Sequence, residues 1–292
     1  MIDTIKLDGK LVSASIKEKL KQEIYNLKKS NITPKLAAII IGDDPASKIY
    51  VNTKHKTFKK FGCESQINKF KDNIKQSELI DFIDKLNNDS SIHGILVQLP
   101  LPSHLNSDEI LNSINPIKDV DGFHPMNLGL LLKGNPSFIP CTPYGCLEIL
   151  KYYNIDVKSK SIVIIGRSNI VGKPLMNLLS GSHDLGNATV TLCHSFTKNL
   201  RDYTMKADII IAAVGKVNLV TRDMIKENSI ILDVGINRIP DQKSDKGYRI
   251  VGDVDCDGLQ GKAKAITPVP GGIGPMTITM LLSNTIKAAK II

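Results

Sequence analysis

Short, continuous apolar runs alternate along this chain with stretches of helical periodicity, and that alternation restricts the fold more than any other feature. Residues 36–41, 94–99, 161–165, 189–193, 209–214 and 230–234 are apolar throughout or nearly so. They have the length of strands and the composition of strands buried on both faces. Between them, Leu11, Ile16, Leu20, Ile24 and Leu27 recur at roughly helical spacing up to Asn31. Further helices are expected over 45–61, 77–86, 171–179 and from Pro275 to about Lys290, with a weaker strand over 65–70. Strands that alternate with helices imply parallel sheets covered by helices, the α/β class.

The rhythm breaks once. Pro and Gly thicken between Asn115 and Pro143, and a helix should then begin with Thr142 as cap and Pro143 as first helical residue. From Ser161 the alternation restarts. We therefore expect two doubly wound α/β domains, residues 1–141 and 142–274, with a C-terminal helix over 275–292 returning to complete the first. A chain of 292 residues suits that division.

Apolar residues make up 42% of the chain and charged residues 23%, the balance of a globular protein. No run approaches the ~18 apolar residues of a membrane span, and no cationic start leads into an apolar block. The five cysteines, Cys63, Cys141, Cys146, Cys193 and Cys256, are scattered, without CxxC pairs or nearby histidine clusters. They read as small buried residues kept reduced in a cytoplasmic setting, with no metal site. A formal charge of +9 raises nucleic acid as a partner. The lysines, however, are spread over the whole chain, Trp is absent, and no basic stretch is interleaved with aromatics.

The strand over 161–165 runs straight into Gly166-Arg167-Ser168-Asn169-Ile170-Val171-Gly172-Lys173-Pro174, where a dinucleotide pyrophosphate would meet a helix N-terminus. Glycine alone could be a packing device there. A guanidinium directly after Gly166 fits an anion better than it fits packing. The next strand ends in His194-Ser195, without the acid that binds the ribose hydroxyl of NAD and would repel a 2′-phosphate. Arg167 and Ser195 together favour NADP, although Ser195 could also merely cap a turn.

Tyr50 and Lys54 stand four residues apart on an expected helix and share one face. Lys56, Lys59 and Lys60 lie nearby, and like charges with partial burial would favour a neutral amine at Lys54, as a catalytic base needs. Gln98 closes an apolar strand, which puts it at the carboxyl edge of a sheet, where open α/β sheets bind ligands. Asp121, before Gly122, could be an ordinary Asp-Gly turn or could accept paired hydrogen bonds from an amino-pyrimidine. In PVPGGIGPMT, Pro268, Pro270 and Pro275 alternate with Gly271, Gly272 and Gly274 in a loop whose backbone can approach a ligand closely. Ile236 and Thr277 could each be packing or capping residues. The residues alone leave open a carbonyl-reducing NAD(P) oxidoreductase built on Tyr50 and Lys54, or a basic nucleic-acid-binding protein.

The segments GDDPASKIYVNTK, LVQLPLP, KDVDGFHP, FIPCTPYG, GRSNIVGKP, DVGINR and PVPGGIGPMT occur in that order. Together they closely resemble the bifunctional methylenetetrahydrofolate dehydrogenase/cyclohydrolase family. The resemblance implies NADP-dependent oxidation of methylenetetrahydrofolate, hydrolysis of the methenyl product, and a homodimer; composition and the lack of an apolar span already argue against nucleic acid and membrane as partners. It makes residues 1–141 the catalytic, folate-binding domain and 142–274 a Rossmann-type NADP-binding domain. It further implies that Lys54 is the catalytic lysine, Gln98 its hydrogen-bonding partner, Tyr50 a ring stacking near the aminobenzoyl group, and Asp121 the carboxylate that reads the pterin. Pro270 and Gly271 would lie against the substrate. Gly166, Arg167, Ser168, Ser195, Ile236 and Thr277 would contact the cofactor. Residues 180–187 and 240–248 look longer than the family pattern.

Overall fold

Each apolar run is a strand in the computed structural model, which describes residues 3–244 and 247–292. In chain order the elements are β1 (Ile5–Lys6), α1 (Gly9–Lys29), β2 (Lys35–Ile41), α2 (Pro45–Lys60), β3 (Glu64–Phe70), α3 (Gln76–Asn88) and β4 (Gly94–Val97). Next come α4 (Ser107–Asn112), α5 (Pro125–Leu132), α6 (Cys141–Tyr152), β5 (Ser161–Ile165), α7 (Gly172–Ser180), β6 (Thr189–Cys193), α8 (Leu200–Thr204) and β7 (Ile209–Ala212). The chain closes with β8 (Ile230–Asp233), β9 (Asn237–Pro240), β10 (Tyr248–Val251), β11 (Ala265–Ile266) and α9 (Ile273–Ala289).

The chain divides into two compact units. The first comprises Ser15–Cys141 and Ile278–Ile292, so the C-terminal helix does return to it. The second comprises Met1–Ala14 and Thr142–Thr277. The opening residues, expected in the first domain, group with the second because β1 pairs in parallel with β11. Leu7 N donates to Ile266 O at 2.8 Å and Ile5 N to Lys264 O at 2.9 Å.

In the first unit the sheet order is β3-β2-β4, all parallel. The central strand β2 buries six consecutive apolar residues, which is what flanking by neighbours and helices demands. From α3, Leu79, Ile83 and Leu86 pack on Ile39, Ile41 and Ile95. The N-cap of α2 is Asp44, whose carboxylate accepts from Ser47 N at 2.7 Å. Its buried residues, Ser47, Val51, Lys54 and Phe58, follow the helical repeat, so Lys54 sits on the inward face with no freedom to turn outward.

In the second unit the sheet is β1-β11-β8-β7-β5-β6, also parallel throughout. β5 has β6 on one side and β7 on the other, the reversal of strand order at which doubly wound sheets bind ligands.

Several boundaries differ from expectation. α6 starts at Cys141 and α9 at Ile273, each slightly before the proline taken as a first helical residue. β4 ends at Val97, two residues before Leu99-Pro100. The Pro- and Gly-rich stretch contains α5, opened by Pro125 and capped by His124, whose ring nitrogen accepts from Met126 N at 3.0 Å. The loop expected over 240–248 is the tip of an antiparallel β9–β10 hairpin, although 245 and 246 lie outside the described residues. Among the described residues no helix is long and apolar enough to cross a membrane.

Candidate active site

In the first unit the buried face of α2 delivers Lys54, only 4% exposed, to the carboxyl edge of the sheet. Its Nζ donates to Gln98 Oε1 at 3.1 Å and lies 4.4 Å from the centre of the Tyr50 ring. Gln98 is fixed before it meets the lysine. Its backbone N donates to Ile39 O at 2.9 Å, extending the ladder past β4, and its Nε2 donates to Leu99 O at 2.7 Å. That second bond decides which end of the amide faces Lys54.

Burial lowers the Lys54 pKa, opposed by the nearby Asp121 and Cys141. The neighbouring lysines are not the cause. Lys56, Lys59 and Lys60 are exposed on the outer face of α2, and the expectation that their charge tunes Lys54 is corrected. Asp121, part-exposed, is pushed up by desolvation, pulled down by Lys54, and raised again by Asp119. The Lys54, Tyr50, Gln98 and Asp121 set thus lies within one unit, with an amine and a carboxyl each biased toward its neutral form.

Sequence reasoning missed the support of Asp121. Asp119, 2% exposed, accepts from Gly122 N at 3.1 Å, Phe123 N at 3.2 Å, His124 N at 2.8 Å and Asn127 Nδ2 at 2.8 Å. The loop is therefore wound around one carboxylate. Gly122 has φ +78°, and a Cβ there would lie 2.8 Å from Pro140 N. The Asp-Gly turn and the candidate site are the same structure. Cys141, read from sequence as plain packing, donates to Val120 O at 3.4 Å and lies close enough to Asp121 for the two groups to influence each other's titration. Burial pushes its thiol well above the usual range. The described cysteines are all free thiols, and only Cys256 is not fully buried.

In the second unit, Gly166 has φ +121°, and a Cβ on it would lie 2.3 Å from Ala213 O. A Cβ on Gly172 would lie 1.9 Å from Gly166 O, so the turn and the start of α7 interlock too tightly for any side chain. Ser168 Oγ accepts from Val171 N at 3.1 Å. Arg167 and Ser168 are exposed beyond the end of β5, and Ser195 is exposed beyond the end of β6. The register Ile165↔Cys193 makes these two strand ends neighbours. A dinucleotide fits this edge: glycines leave room for a pyrophosphate, a guanidinium projects beside them, and no acid follows β6.

Ile236, Pro270 and Gly271 line one cavity of about 180 Å³ in the second unit, formed by residues 233–236 and 268–275 with Ile250 and Lys10. Gly271 has φ +113°, and Gly272 N donates to Pro268 O at 2.7 Å. Thr277 lies outside this lining, its Oγ1 3.2 Å from Thr142 Oγ1.

Two further buried carboxylates, Asp233 in the cavity lining and Asp253 bonded to it through its backbone N, were not foreseen. Asp253, fully buried, accepts from Val214 N, Gly215 N and Lys216 N at 2.7, 3.0 and 2.9 Å, and from Asn237 Nδ2 at 2.9 Å. Asp233 accepts from Gly235 N and Asp253 N at 2.9 Å each and from Val254 N at 3.0 Å. Burial raises its pKa to about 6. The only sequence signal was an aspartate within two residues of a glycine, Asp233 before Gly235 and Asp253 after Gly252. A larger concavity, about 390 Å³, opens at the amino edge of the same sheet near Tyr153, Lys160 and Asp208. There Asp208 is already committed to Lys226 at 2.6 Å and Ser161 N at 2.8 Å, so it reads as structural.

Fold and sites together define a two-unit α/β enzyme of the dinucleotide-dependent class. Models of the tetrahydrofolate dehydrogenase/cyclohydrolase catalytic domain and NAD(P)-binding domain match residues 7–121 and 140–292, and the chain belongs to that family. It is 49% identical to the bifunctional protein FolD of Bacillus subtilis, with 97% of each chain covered. A crystal structure of the bifunctional enzyme FolD from Campylobacter jejuni superposes with TM-score 0.93 at 52% identity, covering 99% of both chains. That of the Trypanosoma brucei dehydrogenase-cyclohydrolase, complexed with NADP cofactor and inhibitor, gives 0.94 at 35% identity, covering 100% of this chain and 99% of that one.

Proposed function

We propose that this chain oxidises 5,10-methylenetetrahydrofolate with NADP and hydrolyses the resulting 5,10-methenyltetrahydrofolate to 10-formyltetrahydrofolate. The observation that carries the reading is the buried Lys54–Gln98 pair beside Asp121, set in a family whose models match both parts of the chain. The first unit is the folate-binding, catalytic one and the second binds NADP. The active enzyme is a cytoplasmic homodimer.

NADP, when bound, accepts the hydride that leaves the bridging methylene carbon. The Gly166 turn, Ser168 and the N-terminus of α7 would hold its pyrophosphate, and Arg167 and Ser195 its 2′-phosphate. Ile236 and Thr277 pack against the cofactor, and Pro270 and Gly271 contact the substrate. The Asp121 carboxyl pairs with the amino-pyrimidine face of the pterin, and Tyr50 stacks along the aminobenzoyl part. Fixing both reactants gives much of the acceleration of the oxidation, which needs no strong base.

Hydrolysis does need a base. Neutral Lys54 takes a proton from the water that attacks the methenyl carbon, while Gln98 Oε1 holds the amine and then the ammonium in place. As the bond from that carbon to N5 breaks, the same ammonium returns its proton to N5, and the hydroxyl proton of the adduct passes to solvent as its oxygen becomes the formyl carbonyl on N10. The test is spectroscopic: absorbance followed with methylenetetrahydrofolate and NADP, then with NAD, then with methenyltetrahydrofolate alone. Methenyl formation with NADP and its subsequent decay are expected. An enzyme that neither oxidises the first substrate nor hydrolyses the second removes the proposal.

A further inference from the structure

One apolar side chain at the carboxyl edge of the second sheet is in the wrong solvent. Phe196, which follows Ser195, is 79% exposed, more than any other large apolar residue described. Its ring is not loose. The Phe196 backbone N donates to His194 Nδ1 at 3.2 Å, and the two rings meet edge to face at 6.2 Å. On the ring lies Arg167, its guanidinium carbon 5.7 Å from the ring centre. The contact follows from register, since the opposed residues Ile165 and Cys193 send the chain out of adjacent strands on the same edge. Among the described residues Arg167 makes no ion pair, so its donors are not committed to a carboxylate.

An aryl face and an arginine divide the guanidinium usefully. Stacking engages the plane of the group and leaves its N–H edge pointing outward for oxygen acceptors. Without the ring, Arg167 would be a cation on a long, freely rotating stem that must be ordered whenever a ligand binds.

We propose that Phe196 is a positioning residue for cofactor selectivity: its ring holds the Arg167 guanidinium with the donor edge turned to the 2′-phosphate that distinguishes NADP from NAD. This rests on the reading of Arg167 as the 2′-phosphate ligand.

The experiment is a comparison of kcat and KM for NADP and for NAD in the full-length enzyme and in Phe196→Ala, Phe196→Tyr, Arg167→Ala and the double Ala variant. Phe196→Ala should lower the NADP-over-NAD ratio of kcat/KM by about two- to five-fold, the size of an exposed cation–π contact. The change should fall on the KM for NADP, with kcat and the unfolding midpoint held. Phe196→Tyr should restore the ratio, and the double variant should be no less selective than Arg167→Ala. An unchanged ratio in Phe196→Ala, with selectivity lost in Arg167→Ala, overturns the role of Phe196 alone. Equal weakening of NADP and NAD also overturns it, because the ring would then be a platform for a part both cofactors share. Full selectivity in Arg167→Ala overturns the reading of Arg167 and the inference with it.

Discussion

Lys54 Nζ stands 3.1 Å from Gln98 Oε1 and 4.4 Å from the Tyr50 ring centre, so a buried amine is held by an oriented amide and a π face rather than by a formal counter-charge at contact distance. Such partners keep a cation in place without strongly favouring it. Burial then tips the balance toward the free base.

Replacing the amine tests its role directly. Lys54→Met should cut hydrolysis of methenyltetrahydrofolate by about a hundred-fold or more, the usual worth of a placed acid–base group. NADP affinity, measured by titration calorimetry, should hold. Near-normal hydrolysis would remove Lys54 from the mechanism.

The charge beside Lys54 sets the direction of a pH effect. Asp121 raises the Lys54 pKa, so Asp121→Asn should lower it further. With Lys54 as the proposed base, hydrolysis needs the neutral amine, and the acid limb of kcat against pH should move to lower pH in the variant. A limb that stays put, or moves up, would separate the two groups electrostatically.

Asp253 holds three successive backbone N–H groups, and Asp253→Ala would leave them without that acceptor. A fully buried donor left unsatisfied costs about 1–3 kcal/mol, and these part-buried ones, which water can reach, cost less each. The variant should unfold at lower urea, and its KM should rise more for NADP than for the folate substrate. A change confined to the folate KM would contradict this.

Asp233 gives a stability effect with a definite sign. Its carboxyl titrates near 6 in the folded chain against an ordinary value of 3.8, so the folded state binds the proton more tightly than the unfolded one. Stability from this group is therefore greatest below about pH 4 and declines as pH rises to about 6, by roughly 3 kcal/mol. Urea unfolding at pH 4.5 and 6.5 should show that decline in the wild type relative to Asp233→Asn. Parallel behaviour of the two proteins would refute it.

Much of this could be read from the residues. The apolar runs located β2, β4, β5, β6, β7 and β8 because burial on both faces leaves no polar alternation to confuse. The four-residue spacing of Tyr50 and Lys54 placed them together because helix geometry is rigid. The strand β1 was invisible, since Ile5 and Lys6 are both exposed and pair with residues far along the chain. The lysine argument failed because proximity in sequence is not proximity on a helix: Lys56, Lys59 and Lys60 turn outward while Lys54 turns in. Asp119, Asp233 and Asp253 escaped for a related reason, as a sequence shows a charge but not the backbone donors gathered around it.

Because Ile278–Ile292 completes the first unit, Ser15–Cys141 waits for a segment that leaves the ribosome only after the whole of Thr142–Thr277. Asn284 from that segment donates to Val120 O at 2.8 Å and Ile139 O at 3.0 Å, bracing the stretch that carries Asp121. Loss of that segment would therefore remove two hydrogen bonds that hold the floor of the first unit.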